Sequence, residues 1–141
     1  MVLKNYNSQG ASVSFGTSGL TGKVLSIGGV EQSRDALEIT DLGIAAGGAK
    51  QYIPADIYEP GTIDIEFLFS SAQELPDIAA VAETITITFP KATVAGASAT
   101  LAGSGFIQSR STPELSVGDT MTMSCSVQFD GETAPVYSAG S

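Results

Sequence analysis

Residues 52–69 have the sequence YIPADIYEPGTIDIEFLF, which joins a proline-containing segment to the clearest strand of the chain. Apolar and polar side chains alternate from residue 62 onward, and a period of two is typical of a strand with one buried face. Upstream, Pro54 and Pro60 lack backbone donors and Gly61 permits a tight turn, so the predicted strand begins after Gly61. Its apolar face comprises Ile63, Ile65, Phe67 and Phe69, and its polar face comprises Thr62, Asp64 and Glu66.

Other segments predict the strands that accompany this one. TITITF at residues 84–89 alternates between threonine and large apolar residues, and TMTMSCSVQF at residues 120–129 alternates in the same way. Residues 92–111 predict one long strand bent at its glycines, or two short strands. Shorter alternations predict strands near residues 12–15, 23–33 and 35–40, the last two pairing as a hairpin around residues 33–35.

Residues 70–84, SSAQELPDIAAVAET, predict the one helix of the chain. Ser71 is a candidate N-cap and Glu74 follows three residues later, a spacing typical of a capping box. Pro76 is compatible only with the first turn, so the helix is predicted to be short. Its apolar face would comprise Leu75, Ile78, Ala79 and Ala82.

Two segments lack periodicity. Residues 41–61 contain several glycines and prolines and predict a long loop, a kind of segment that tends to be functional or disordered. The apolar side chains of this loop argue against plain disorder, so we expect it to dock on another surface. Residues 133–141 predict a flexible tail.

These elements predict a mainly β fold, a two-sheet sandwich or barrel with one short flanking α-helix. The 141 residues suffice for a single domain, residues 1–141, with a core that needs neither metal nor disulfide. No apolar run approaches the ~20 residues that span a bilayer, and residues 1–10 lack the pattern of a secretion signal. Cys125 has no internal partner, so we expect a small buried side chain in a soluble protein made in a reducing compartment.

The composition opposes several functions. The net charge of −9 disfavours ordinary nucleic-acid binding, which needs a basic surface, although the same acidity also serves solubility. The absence of histidine removes the common triads, zinc sites and general base. Asp64 and Glu66 share a strand face, as glycosidase carboxylates or calcium ligands do, but without supporting residues we interpret them as a solvated polar face. We therefore predict no enzyme, no cofactor and no metal site.

Three motifs together resemble the major tail tube proteins of long-tailed phages with flexible, non-contractile tails. They are IPADIYEPGTIDIEF at residues 53–67, the GSGF strand at residues 103–106, and GDTMTMSCSVQFDG at residues 118–131. The resemblance covers residues 52–132, and the first fifty residues match less well. We expect no additional C-terminal immunoglobulin-like domain of the kind that some members carry.

The resemblance implies a structural virion protein that forms stacked hexameric rings, the conduit through which DNA passes. The implied partners are the chain itself, the tape measure protein, the tail terminator and the baseplate or tail-tip proteins, with DNA in transit but not bound and no membrane anchor. The location is the virion tail, after assembly in the bacterial cytoplasm. The residues predicted to line the lumen are Asp64, Glu66, Thr84, Thr86, Thr88, Thr122 and Ser124. The predicted assembly loop comprises Ile44, Lys50, Tyr52, Ile53, Asp56, Ile57 and Tyr58.

Two alternatives remain open at the level of the sequence. The first is an Hcp-like tube, either of a secretion system or of a contractile tail, which has the same fold and the same kind of stacked rings. The second is a cell-surface adhesin or carbohydrate-binding β-sandwich, which the absence of tryptophan, a signal and a disulfide disfavours.

Overall fold

The computed structural model describes residues 9–16, 24–71, 74–93 and 96–140, and these residues form nine β-strands and no helix. The strands are β1 (Ser12–Phe15), β2 (Val24–Ile27), β3 (Ser33–Glu38), β4 (Tyr52–Glu59), β5 (Thr62–Leu68), β6 (Glu83–Thr88), β7 (Thr100–Arg110), β8 (Thr122–Phe129) and β9 (Val136–Ser138). The mainly β prediction is therefore confirmed.

Seven strands form one antiparallel sheet in the order β1-β6-β7-β8-β5-β2, with β9 also paired to β7. β1 and β2 stand at opposite ends of this order and nevertheless lie close together, so the sheet curls until its two edges meet. β3 and β4 form a separate two-stranded sheet. The fold thus has two sheets, one of which encloses the core.

The hydrophobic core lies on the inner face of the curled sheet. On β5 the side chains of Ile63, Ile65 and Phe67 are buried, and the residues between them are exposed, which confirms the predicted alternation. β6 and β8 follow the same pattern, because directly opposite residues in paired strands lie on the same face. The buried apolar residues are Val13, Ile63, Ile65, Phe67, Ile85, Ile87, Ile107, Met123, Cys125, Val127 and Phe129.

β7 fulfils the prediction of a long, irregular strand, although residues 94–95 of the predicted segment lie outside the described residues. Its pairing with β8 shifts register after Ile107. A Cβ at Gly103 would lie 2.8 Å from the Cα of Pro135 and 3.2 Å from a ring carbon of Phe129. The glycine therefore allows the segment before β9 to pack directly on the backbone of β7.

The predicted helix is wrong for the part of residues 70–84 that the structure describes, which leaves out residues 72–73. Asp77 closes a local turn instead: its carboxylate accepts a hydrogen bond from the N–H of Ala79 at 2.9 Å, and its carbonyl accepts one from Ala80 at 3.2 Å. Pro76 lacks an N–H, and its carbonyl accepts a 2.7 Å hydrogen bond from Arg110. These local bonds compete with helical ones and prevail over the capping signal.

The predicted hairpin between residues 23–33 and 35–40 is also wrong. β2 pairs with β5, where Ile27 lies opposite Ile65 and packs against the core. β3 pairs instead with β4. Strand pairing depends on which partner buries the apolar face, so proximity in sequence did not decide it.

The predicted loop at residues 41–61 is correspondingly shorter, because residues 52–59 form β4. Pro54 is compatible with this strand because a two-stranded sheet consists of edge strands only. The tail predicted at residues 133–141 contains β9, in which Tyr137 lies opposite Leu101. The ring of Tyr137 also packs edge-on against Phe89, with ring centroids 6.2 Å apart, so this part of the segment is tied to the sheet.

Candidate assembly arm and polar sheet face

Residues 33–59 form a hairpin, which we call the arm. It consists of β3, the connection at residues 39–51 and β4. Among the described strands, β3 and β4 contact only each other and none of the seven strands around the core. A two-stranded hairpin of this kind is marginally stable in water when nothing covers it. The arm is thus a single layer without a core of its own.

Large apolar side chains stand on both faces of the arm. Leu37 lies opposite Ile53, and Ile39 follows on the same side, so these three residues form what we call the aliphatic face. The tyrosine face comprises Tyr52, Pro54 and Tyr58, which lie opposite Glu38, Ala36 and Arg34. The relative exposures are Leu37 50%, Ile39 49%, Ile53 43%, Tyr52 55% and Tyr58 49%. About half of each of these side chains is therefore left uncovered by the part of the chain that the structure describes.

The structure brings every residue of the predicted assembly loop into the arm. Ile44 and Lys50 lie in the connection, and the others lie on β4: Tyr52, Ile53, Asp56, Ile57 and Tyr58. Sequence reasoning missed Leu37, Ile39 and Leu42, which are also exposed. The alternation of Leu37 and Ile39 was visible, but their assignment to a hairpin with β2 concealed their place in the arm.

Polar contacts within the arm keep its two strands in register. The Nε of Arg34 donates to the carbonyl of Ala55 across the irregular part of the ladder, and the N–H of Gln51 donates to Oγ1 of Thr40 at 2.9 Å. The Nζ of Lys50 lies 4.0 Å from Oε1 of Glu38, but both side chains are exposed, so this ion pair adds little. None of these contacts covers the apolar side chains.

The arm leaves the core at Gly61, which has φ +103°. A Cβ there would lie 2.8 Å from the carbonyl oxygen of Glu31, so the chain enters and leaves the arm at one narrow base. The carbonyl of Gly61 also accepts a 3.1 Å hydrogen bond from the N–H of Phe129, which fixes this base to β8.

The outer face of the seven-stranded sheet is polar. Asp64 lies opposite Ser126 and Glu66 opposite Ser124 on β5 and β8, and Thr86 lies opposite Ala102 on β6 and β7. All residues predicted to line a lumen share this face: Asp64, Glu66, Thr84, Thr86, Thr88, Thr122 and Ser124. They extend over β5, β8 and β6, and β7 separates the threonines of β6 from the others.

The charge on this outer face is entirely acidic within the paired strands that the structure describes. Hydroxyl side chains predominate, and the charged side chains placed there by the strand register are Asp64 and Glu66. Arg110 lies opposite Cys125, on the core side of the sheet. A surface of hydroxyls and carboxylates offers a phosphate backbone no cationic partner.

Cys125 is the free cysteine of the core and is buried. The pKa of its thiol is raised to about 11, chiefly because the thiol is buried and secondarily by the carboxylate of Asp64, while Arg110 acts in the opposite direction. A thiol of this kind is inert near neutral pH because the thiolate is the reactive form. Cys125 therefore serves as an apolar core residue, as the sequence predicted.

In the described ranges, no group of three or more cysteine, histidine, aspartate or glutamate residues is arranged to hold a metal ion. The same ranges contain no helix with the length and hydropathy of a membrane span.

Solved structures share this fold at low sequence identity. A chain of the extended sheath-tube complex of an extracellular contractile injection system, PVC, has a TM-score of 0.68 and 17% identity, over 96% of this chain and 93% of that one. A chain from the virion of a native gene transfer agent particle has a TM-score of 0.66 and 12% identity, over 96% and 100%. A chain from the C6-symmetric tail of an empty gene transfer agent particle has a TM-score of 0.58 and 12% identity, over 84% of each chain.

No protein-family model matches the sequence, and no curated protein sequence matches it either. At such identities the structural likeness concerns the fold, which is tail-tube-like: a curled sheet around the core and a separate two-stranded sheet.

Proposed function

We propose that this chain is the structural subunit of a tail tube, in which hexameric rings stack into a hollow conduit. The arm is the observation that carries the proposal. It exposes apolar side chains on both faces while the core of the curled sheet is complete without it. Exposed apolar surface of this kind marks an interaction site, and the fold is shared with chains of an injection-system sheath-tube complex, a gene transfer agent virion and a gene transfer agent tail.

The polar outer face supports a role in conducting DNA. Duplex DNA carries about one negative charge per 1.7 Å of its axis, so a wall that carries carboxylates and no cations does not retain it. In this proposal Asp64, Glu66 and Ser124 line the lumen, and the threonines at 84, 86, 88 and 122 extend the same hydroxyl surface. DNA then slides through without specific binding.

The sequence resemblance favours the tube of a flexible, non-contractile phage tail, located in the virion after assembly in the bacterial cytoplasm. The tape measure protein, tail terminator and baseplate or tail-tip proteins are its proposed partners. The role is structural and non-enzymatic.

One observation favours a second candidate, the inner tube of a contractile particle. The chain with a TM-score of 0.68 comes from a complex of sheath and tube. Both candidates require the same self-assembly, and they differ in whether a sheath surrounds the tube. Assembly of the purified tube with a sheath protein of a contractile particle distinguishes them: binding of the sheath supports the contractile tube, and its absence supports the non-contractile one.

Sedimentation velocity over a concentration series tests the proposed function. We expect a cooperative transition from small species to assemblies of high mass, favoured by a tail-initiating complex. A chain that stays monomeric at every concentration, with and without that complex, would contradict a tube subunit.

A further inference from the structure

Asp130 and Gly131 lie in the turn after β8 and form a dipeptide with a chemistry of its own. Asp130 is the one aspartate or asparagine of the sequence that precedes a glycine. In such a dipeptide the backbone nitrogen of the glycine can attack the side-chain carboxyl carbon, because glycine has no side chain that shields its nitrogen. Both residues are exposed, so water reaches the turn. The chemistry of this turn is independent of the proposed function.

The reaction converts aspartate to isoaspartate in two steps and needs only water. In the first step the nitrogen of Gly131 bonds to Cγ of Asp130, the carboxyl OH leaves as water with the amide proton, and a cyclic succinimide results. In the second step water opens this ring at one of its two carbonyl carbons. Opening at Cγ restores aspartate, whereas opening at the main-chain carbonyl carbon gives isoaspartate, whose backbone is one carbon longer.

Hydrogen bonds hold both carboxylate oxygens of Asp130. Oδ1 accepts a 2.9 Å bond from the N–H of Glu132, and Oδ2 accepts a 3.0 Å bond from Oγ of Ser104 on β7. Backbone bonds tie the same turn to β7, since the N–H of Asp130 donates to the carbonyl of Ser104 at 3.0 Å and the N–H of Ser104 donates to the carbonyl of Thr133 at 2.8 Å. Ring closure removes one carboxyl oxygen as water, so the two side-chain bonds cannot both survive it.

We propose that Asp130 is a site of spontaneous isoaspartate formation and that the hydroxyl of Ser104 restrains the reaction by holding the carboxylate. Ser104 is a positioning residue, because it takes no part in the bonds that form and break. Its contribution is to make the unreactive orientation of the carboxylate more stable than the orientation from which the ring closes.

The position of the turn gives the modification a structural consequence. The turn connects β8 to β9, and a Cβ at Gly103 would lie 2.8 Å from the Cα of Pro135, so this segment packs on β7 without spare room. A backbone lengthened by one carbon cannot keep this packing and the hydrogen bonds of Ser104 together. Isomerisation at Asp130 is therefore expected to loosen β9 from β7.

Ageing of the full chain at physiological pH and temperature tests this inference, with isoaspartate at position 130 quantified by peptide mapping and electron-transfer fragmentation. A synthetic peptide of residues 126–135 gives the rate in the absence of the fold. S104A removes the hydroxyl, and S104T keeps it. S116A is the matched control, because it removes a bond of the same kind elsewhere, the 2.6 Å hydrogen bond from Ser116 to Oδ2 of Asp119.

The wild type is expected to isomerise more slowly than the peptide, by roughly tenfold for each of the two hydrogen bonds to the carboxylate. S104A is expected to raise the wild-type rate roughly tenfold, the factor that corresponds to one hydrogen bond to a charged group. S104T and S116A are both expected to keep the wild-type rate.

Several outcomes overturn the inference. A wild type that isomerises at the rate of the peptide, or a peptide that forms no isoaspartate, contradicts it whether or not S104A folds. If S104A ages at the wild-type rate while the peptide converts, the hydroxyl does not restrain the reaction. If S116A accelerates the reaction at Asp130 as much as S104A does, a general loss of stability exposes the site, and Ser104 has no specific role.

Discussion

Ile65 and Cys125 lie directly opposite each other on β5 and β8, and both side chains are buried at the centre of the curled sheet. On either side of Ile65, Asp64 and Glu66 point to the opposite face of the same strand. β5 therefore belongs at once to the core and to the polar surface, and substitutions at consecutive positions separate the two roles.

Ile65→Ala is expected to destabilise the isolated chain by about 2–5 kcal/mol, because it removes buried methyl groups and leaves a cavity. Glu66→Ala, one residue away on the outer face, is expected to change the free energy of unfolding by less than about 0.5 kcal/mol. Urea denaturation of the non-polymerised chain measures both. Equal effects at the two positions would contradict the assignment of inner and outer faces.

The buried thiol of Cys125 makes stability depend on pH in the alkaline range. Its pKa rises from 9.0 in the unfolded chain to about 11 in the folded protein, so the folded state binds the proton more tightly. The stabilisation that the protonated thiol gives the folded state is fully present below pH 9, and it is lost as the pH rises to about 11. Over this range the free energy of unfolding is expected to fall by about 2–3 kcal/mol.

Comparison with C125A isolates this contribution, because the variant lacks the thiol and keeps every other titratable side chain. The difference in unfolding free energy between the wild type and C125A should change with pH between 9 and 11. A difference that stays constant over that range would show that the folded thiol has an ordinary pKa.

Replacement of residues 33–59 by a short Gly-Ser linker tests the independence of the arm. The base is narrow, with Gly61 beside Glu31, so the two ends are close enough to join. We expect the curled sheet to retain its melting temperature within a few degrees, because no strand of it contacts the arm. We also expect polymerisation to fail. Filaments formed without the arm would exclude it as the assembly element.

The charge of the outer face is tested by D64K/E66K in assembled particles. If this face lines the lumen as proposed, cationic side chains would bind the phosphates of DNA in transit, so we expect slower DNA delivery and stronger inhibition at low salt. E114K/D119K is the matched control: it makes the same change in net charge at residues of the β7–β8 connection. If D64K/E66K particles deliver DNA at the rate of the control, these positions do not line the lumen.

The sequence predicted the strands whose side chains alternate without interruption. β5, β6 and β8 have one face that can be buried only in the core, so the period of two determined both their existence and their orientation. That is why the lumen-face candidates share one face of one sheet. Whether that face is turned inward in a ring depends on neighbouring copies, which are not encoded in the alternation of a single strand.

The arm shows where sequence reasoning failed and why. The sequence predicts Tyr52 and Ile53 as docking residues, but it predicts that β3 pairs with the strand before it, because neighbouring apolar alternations usually form hairpins. Because the arm buries few side chains, its strands have no alternation between a buried and an exposed face. Such an alternation is what would indicate from sequence which strands pair. The helix failed for a different reason, since the local hydrogen bonds of Asp77 prevailed over the capping signal of Ser71.

Negative-stain electron microscopy of the concentrated wild-type protein, with a tail-initiating complex added, tests whether the chain assembles into a tube. We expect hollow tubes of stacked rings with sixfold end views, and their absence when the arm is replaced by the linker. Dispersed monomers without rings under the same conditions, from a protein whose melting transition shows that it is folded, would contradict it.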